Sequence, residues 1–174
     1  MSFRQRLRQG DLLLGQMVLE LFTPGIGPML ASCGLDFVIF DMEHGRCDLA
    51  LLAEMVASCR GSDIVPIARV PDVAYAPLSR PLDIGARGVM VPRVETRQQA
   101  EDIVSQLRYA PQGRRGVALG IAHDLYRAGD AGFLPGRMTT LLCCCYWKRR
   151  KLFKIWRRLF PSLAWTLPGW DTTI

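Results

Sequence analysis

The stretch Phe37-Val38-Ile39-Phe40-Asp41-Met42-Glu43-His44-Gly45 decides the fold. Its four leading residues are apolar without alternation, which fits a strand covered on both faces rather than one with a solvated side. Such strands belong to parallel sheets, whose functional groups collect at the strands' carboxyl ends. Two carboxylates, an imidazole and a glycine directly after this strand therefore mark a candidate catalytic centre.

The pattern repeats outward from that strand. A short amphipathic helix is expected around Ser2–Gln9, a strand at Gln16–Leu21, and a helix over Gly25–Cys33 ending at Gly34. Downstream, Asp48 is a natural N-cap for a helix to about Arg60, with Leu49, Leu51, Leu52, Met55 and Val56 as its apolar stripe. Ile64–Arg69 is the next strand, followed by a helix at Ala76–Leu82 that Pro81 should bend or shorten. Gly88–Val91 is the fourth strand, and Thr96 caps a helix to Arg108. Apolar strands separated by helices indicate an α/β fold with parallel strands, either a barrel or a doubly wound sheet; periodicity does not choose between them. A helix is expected at Asp124–Leu134, and no fifth strand is recognised after it.

The polar residues at strand ends carry the chemistry. Glu20 lies near the end of the first strand, Glu43 and His44 follow the second, Arg69 ends the third, and Arg93 and Glu95 follow the fourth. His44 is one of only two histidines and directly follows a buried strand, which favours a functional part over that of a surface side chain. Arg69 interrupts an apolar strand, so it needs an anionic partner, either a structural carboxylate or a substrate. Asp83 precedes Gly85 at a helix-to-strand turn, where capping is the ordinary explanation. His123 lies in an irregular segment and reads as ordinary.

Several of these segments, taken in order, resemble the HpcH/HpaI aldolase family. They are Asp41-Met-Glu-His-Gly45, Ile67-Ala-Arg-Val-Pro71, Leu82-Asp-Ile-Gly-Ala86 running into Gly88-Val-Met-Val-Pro92, and Arg108-Tyr-Ala-Pro111 with Gly113-Arg-Arg-Gly116. The likeness runs in register from about Gly15 to Leu134. It implies a (β/α)8 TIM barrel, of which this chain holds about the first four βα units. It also implies a class II aldolase that reversibly cleaves a 4-hydroxy-2-oxo acid into pyruvate and an aldehyde. On this resemblance His44 is the general base, Arg69 binds the oxo acid and stabilises the pyruvate enolate, and Asp83 orients the histidine. A divalent ion (Mg2+, Mn2+ or Co2+) is expected too, held in the family by a Glu after the fifth strand and an Asp after the sixth. No segment here resembles either strand, so metal ligands are not identifiable; Glu43 and Glu95 are weak substitutes, because their family counterparts are not the ligands.

Composition divides the chain in the same place. The net charge of +6 arises almost wholly after Leu134, where eight of the 22 basic residues but only one of the 16 acidic residues lie. All three Lys, all four Trp and the run Cys143-Cys144-Cys145 fall there as well. Residues 1–134 thus read as the N-terminal half of an aldolase-type barrel and 135–174 as an unrelated basic tail. The basic, aromatic-interleaved stretch Tyr146–Phe160 could lie on an anionic membrane or a partner, or contact nucleic acid. The abrupt change of composition favours a third reading, a stretch not selected to finish the fold, as after a frameshift or truncated gene model. The body itself gives no ground for a nucleic-acid partner. Lyase activity impaired by loss of the metal-binding half is then expected, with a non-catalytic membrane- or partner-associated protein as the alternative. An open half-barrel should self-associate, as a homo-oligomer or otherwise. The consecutive cysteines lack zinc or redox spacing, while Cys33, Cys47 and Cys59 read as buried thiols. With no apolar run of roughly 18 residues and no signal-peptide core, a cytoplasmic location is expected.

Overall fold

The computed structural model describes residues 1–127 and the strand Leu142–Cys145. Helix α1 (Phe3–Gln9) leads into β1 (Gly15–Val18), α2 (Ile26–Ser32), β2 (Phe37–Asp41), α3 (Leu49–Ser58), β3 (Val65–Arg69), α4 (Tyr75–Asp83), β4 (Gly88–Val91) and α5 (Arg97–Leu107). A single 3-10 turn at Ala122–Asp124 precedes β5 (Leu142–Cys145).

All neighbouring strands are parallel, and their spatial order β1-β2-β3-β4-β5 is their order in the chain. A doubly wound sheet would reverse direction at a switch point; steady progression is how a barrel wall grows. The barrel alternative is therefore the one the topology takes. Register places Asp41 opposite Arg69, and Arg69 opposite Met90, so the strand ends lie level.

The sheet is covered on two sides. On the outer face, Val38, Phe40 and Ala68 pack with Leu52, Met55 and Val56 of α3. Further along, Val89 and Val91 pack with Leu78 and Leu82 of α4 and Ala100, Ile103 and Leu107 of α5. On the inner face, Phe37, Ile39, Ile67 and Met90 are covered by Leu7 of α1, with Phe3 set edge-on against Phe37 at 6.1 Å. Arg6 fastens α1 by an ion pair to Asp36, which also accepts the backbone N–H of Leu14 at 2.8 Å. Capping is local and as the sequence suggests: Asp48 accepts from Leu51 N, and Thr96 forms a capping box with Gln99.

Four sequence expectations change. First, β1 ends at Val18 rather than Leu21; Val18 is buried, whereas Leu19 and Leu21 face solvent as the chain leaves for α2. Second, Pro81 does not shorten α4, which continues to Asp83 with the proline ring buried. Third, residues 124–127 do not begin a helix. Leu125 and Tyr126 take φ of 59° and 58°, and the Asp124 carboxylate accepts backbone N–H groups from Gly120 and Tyr126. The rest of that expected helix, like the basic helix at 146–160, lies outside the described residues. Fourth, a fifth strand does exist: Leu142–Cys145 pairs with β4 from Gly88 to Val91. Cysteine behaves as a small apolar residue, so the triplet is strand-compatible where its spacing had suggested nothing.

Helices α2 and α3 touch through Gly27, where a Cβ would lie 2.8 Å from the Cys59 Cα and the Ser58 carbonyl oxygen. Both atoms are backbone and cannot step aside. Gly27→Ala should therefore cost about 1–3 kcal/mol in urea denaturation, by forcing the helices apart; an unchanged midpoint would show that this contact yields.

Candidate active site at the carboxyl ends of the strands

Asp41 and Arg69 project from adjacent strands on the inner face, directly opposite each other. The Arg69 guanidinium grips the carboxylate with two bonds, Nε to Oδ1 at 2.8 Å and Nη2 to Oδ2. This is the planar fork that arginine offers a carboxylate and lysine does not. Arg69 thus has the structural carboxylate its strand position demanded.

The same carboxylate organises the following loop. Asp41 Oδ1 accepts the backbone N–H of Glu43 at 2.8 Å and of His44 at 3.3 Å, an Asx-type turn closing over the strand end. Burial pushes the Asp41 carboxyl up, but bonds from Arg69, Glu43 and His44, with the Arg69 charge, outweigh it and hold the group below the ordinary aspartate range. Gly45 is required at the next position: a Cβ would sit 2.7 Å from the Leu19 carbonyl oxygen and 2.9 Å from that of Asp41. The result is an imidazole presented to solvent, with the His44 side chain 66% exposed.

Glu43 completes the group. Its carboxylate, only 10% exposed, lies 3.5 Å from Arg69 Nε, 3.4 Å from Arg93 Nη2 and 3.9 Å from His44 Nε2. Arg93 reaches it from a left-handed backbone, φ 56°, while Nη2 donates to the Pro71 carbonyl at 2.9 Å. Ends of β2, β3 and β4 therefore contribute a histidine, two guanidiniums and two carboxylates to one cluster.

His44 and Arg69 are thus brought together as expected, but Asp83 is not brought to them. It is the last residue of α4, at the end that feeds the amino end of β4, and its Oδ1 receives Arg115 Nη2 at 2.5 Å. Arg115 is buried, with its guanidinium 4.7 Å from the centroid of the Tyr109 ring, so Asp83 anchors the loop after α5. A helix end and a strand end are opposite poles of a βα unit, which is why the expected contact with His44 does not form within the chain. Sequence reasoning underrated Asp41, whose signal was an acid closing a fully apolar strand, and Arg93, visible only as a charge after β4. Glu20 and Glu95 are exposed, and Glu95 sits at the cap of α5.

Among the described residues no three His, Cys, Asp or Glu side chains are grouped to hold a metal ion. Glu43 is committed to two arginines, so it does not serve as the substitute ligand considered above. Of the described cysteines, burial pushes the Cys47 and Cys59 thiols up to about 11, whereas Cys33 is exposed rather than buried. Cys33 is the C-cap of α2.

Residues 17–144 match the family described as HpcH/HpaI aldolase/citrate lyase. The chain belongs to that family. A hydroxypyruvate/pyruvate aldolase of Roseobacter denitrificans is 34% identical over 145 residues, 81% of this chain and 56% of the relative. A 4-hydroxy-2-oxovalerate aldolase of Novosphingobium aromaticivorans is 39% identical over 120 residues, 67% of this chain and 44% of the relative. The crystal structure of an HpcH/HpaI aldolase from Desulfitobacterium hafniense superposes with a TM-score of 0.81 at 27% identity, covering 89% of this chain and 60% of that one. The chain spans about half the length of the curated relatives it matches. The HpcH/HpaI likeness reaches residue 144 and so includes most of β5.

Because the Asp41 carboxyl is held below its unfolded value, its contribution to stability is present above about pH 4 and is lost as pH falls through the lower folded value. Asp41→Asn should lose about 3–5 kcal/mol at pH 7, leaving Arg69 its more distant ion pair with Glu43 at 3.5 Å in place of the two-bonded contact. Urea midpoints of wild type and variant should converge on acidification toward pH 2; a pH-independent gap would contradict the assignment.

Proposed function

We propose that this chain carries the base and the enolate-binding half of a retro-aldol site that cleaves a 4-hydroxy-2-oxo acid to pyruvate and an aldehyde. The observation that carries the proposal is the exposed His44 imidazole beside a guanidinium held rigid by Asp41. Cleavage needs a base of near-neutral pKa to take the C4 hydroxyl proton, and histidine is the side chain suited to it. As that proton leaves, the C4–O bond becomes a carbonyl, the C3–C4 bond breaks, and its electron pair remains on the three-carbon fragment as an enolate. Arg69 supplies fixed positive charge where the enolate oxygen and carboxylate gather. The Asp41 fork keeps that guanidinium oriented before substrate arrives, so little reorganisation is needed in the transition state. Protonation at C3 then yields pyruvate.

Membership of the HpcH/HpaI family brings with it the expectation of a divalent ion as Lewis acid. The described residues do not fit one, and the steps above belong to the chain's own side chains. Self-association accords with the same reading, since β1 and β5 are the edges of the sheet as described. No helix among the described residues is long and apolar enough to cross a membrane.

With added Mg2+ or Mn2+, the chain should release pyruvate from 4-hydroxy-2-oxovalerate in a lactate dehydrogenase-coupled assay. His44→Ala should lower kcat by roughly 10²–10⁴-fold, the usual worth of a positioned general base. Release unaffected by the substitution would remove His44 from the mechanism, and no release at all would contradict the activity.

A further inference from the structure

The end of the sheet opposite His44 gathers positive charge that the proposed chemistry does not use. Helix α1 lies there, with its Leu7 packed among Phe37, Ile39, Ile67 and Met90, and α5 ends there with Arg108 as its C-cap. Of the three arginines in α1, Arg6 is committed to the scaffold through ion pairs to Asp36 and, at 3.5 Å, to Asp11. Arg4 and Arg8, four residues apart, share another face of the helix. Neither makes an ion pair or a side-chain hydrogen bond among the described residues, and the same holds for Arg108.

The helix itself accounts for only one of the three. Arg8 lies in the last turn of α1, where a cation suits the helix dipole. Arg4 lies in the first turn, where positive charge opposes the dipole and no acidic residue offsets it. Arg4 is half-buried, and burial, followed by the charges of Arg8 and Arg108, holds its guanidinium below the ordinary arginine range. Like charges from two separate elements are therefore held close together.

Both elements are fixed in place. The Arg6–Asp36 pair and Leu7 seat α1 on the sheet. The Arg108 backbone N–H donates to the Val104 carbonyl at 3.1 Å, and its own carbonyl accepts the N–H of Arg115 at 2.8 Å. Gly113 lies so close that a Cβ there would sit 2.4 Å from the Arg108 carbonyl oxygen. A rigid group of guanidiniums without a carboxylate calls for an external anion. Guanidinium forks match phosphate oxygens, and three positive charges suit a multiply charged group better than a single carboxylate.

We propose that Arg4, Arg8 and Arg108 form a binding site for a multiply charged phosphate group, borne by a free phosphate compound or by a lipid headgroup, at the end of the sheet away from His44.

Arginine modification by phenylglyoxal, read residue by residue by mass spectrometry, tests this on the full chain. Inorganic diphosphate, compared with sodium chloride at equal ionic strength, should slow modification of Arg4, Arg8 and Arg108 by roughly five- to tenfold, the scale of charge-assisted bonds at a partly exposed site. All three should reach half-protection at the same diphosphate concentration, while Arg97, already paired with Glu101, keeps its rate. Arg108→Gln should abolish the protection of Arg4 and Arg8, which lie on a different element, and Arg108→Lys should restore most of it. Arg4→Gln should likewise expose Arg108. No protection by diphosphate, protection of only one or two of the three, unequal half-protection, or protection of Arg4 and Arg8 that survives in Arg108→Gln would each overturn the proposal. Vesicles of phosphatidic acid and phosphatidylcholine in equal parts then identify the source: protection matching that of diphosphate assigns the phosphate to a lipid headgroup, and its absence assigns it to a free ligand.

Discussion

The two-bonded contact between Asp41 and Arg69 is the interaction on which the carboxyl face depends. Charged groups at the end of buried strands are costly unless paired with good geometry. Parallel register supplies that geometry here, because it sets these residues opposite each other on the inner face. Asp41 Oδ1 also accepts the backbone N–H groups of Glu43 and His44, so one carboxylate satisfies an arginine and shapes the loop that carries the imidazole. Under the proposed function, stability and catalysis share this single group, and disturbing it should be felt in both.

The rest of the fold can be understood as support for that contact. Helices α2 to α5 cover the outer face of the sheet, fixing the height of each strand end, while α1 closes the inner face at its amino end through Phe3 and Leu7. Glycine is used where backbones must touch: Gly27 between α2 and α3, and Gly45 against the carbonyls of Leu19 and Asp41. The Asp83–Arg115 pair belongs to this scaffold, holding the loop after α5 beneath the sheet. The Asp41–Arg69 and Asp83–Arg115 ion pairs thus lie at opposite ends of the βα units.

Much of this was legible in the sequence, for reasons that differ by residue. Phe37–Asp41 and Gly88–Val91 could be bounded to the residue, because unbroken apolar runs end sharply at a charge or a proline. Asp48 and Thr96 marked helix starts through capping chemistry that is local in sequence. What escaped were facts that depend on distant partners. Arg115 meets Asp83 across 32 positions, and Arg93 meets Glu43 although β3 lies between their strands. The strand Leu142–Cys145, which pairs with β4, was obscured because three cysteines invite a reading by reactivity. Leu125 and Tyr126 hid their left-handed backbone, since nothing in a leucine or a tyrosine announces it.

The central claim is that Asp41 and Arg69 act as a coupled unit. A double-mutant cycle over Asp41→Asn, Arg69→Met and the pair, followed by urea denaturation at pH 7, measures that coupling directly. The structure predicts an interaction energy of at least about 1.5 kcal/mol, with the double variant far less destabilised than the two single losses would suggest. Additivity within about 0.5 kcal/mol would contradict it.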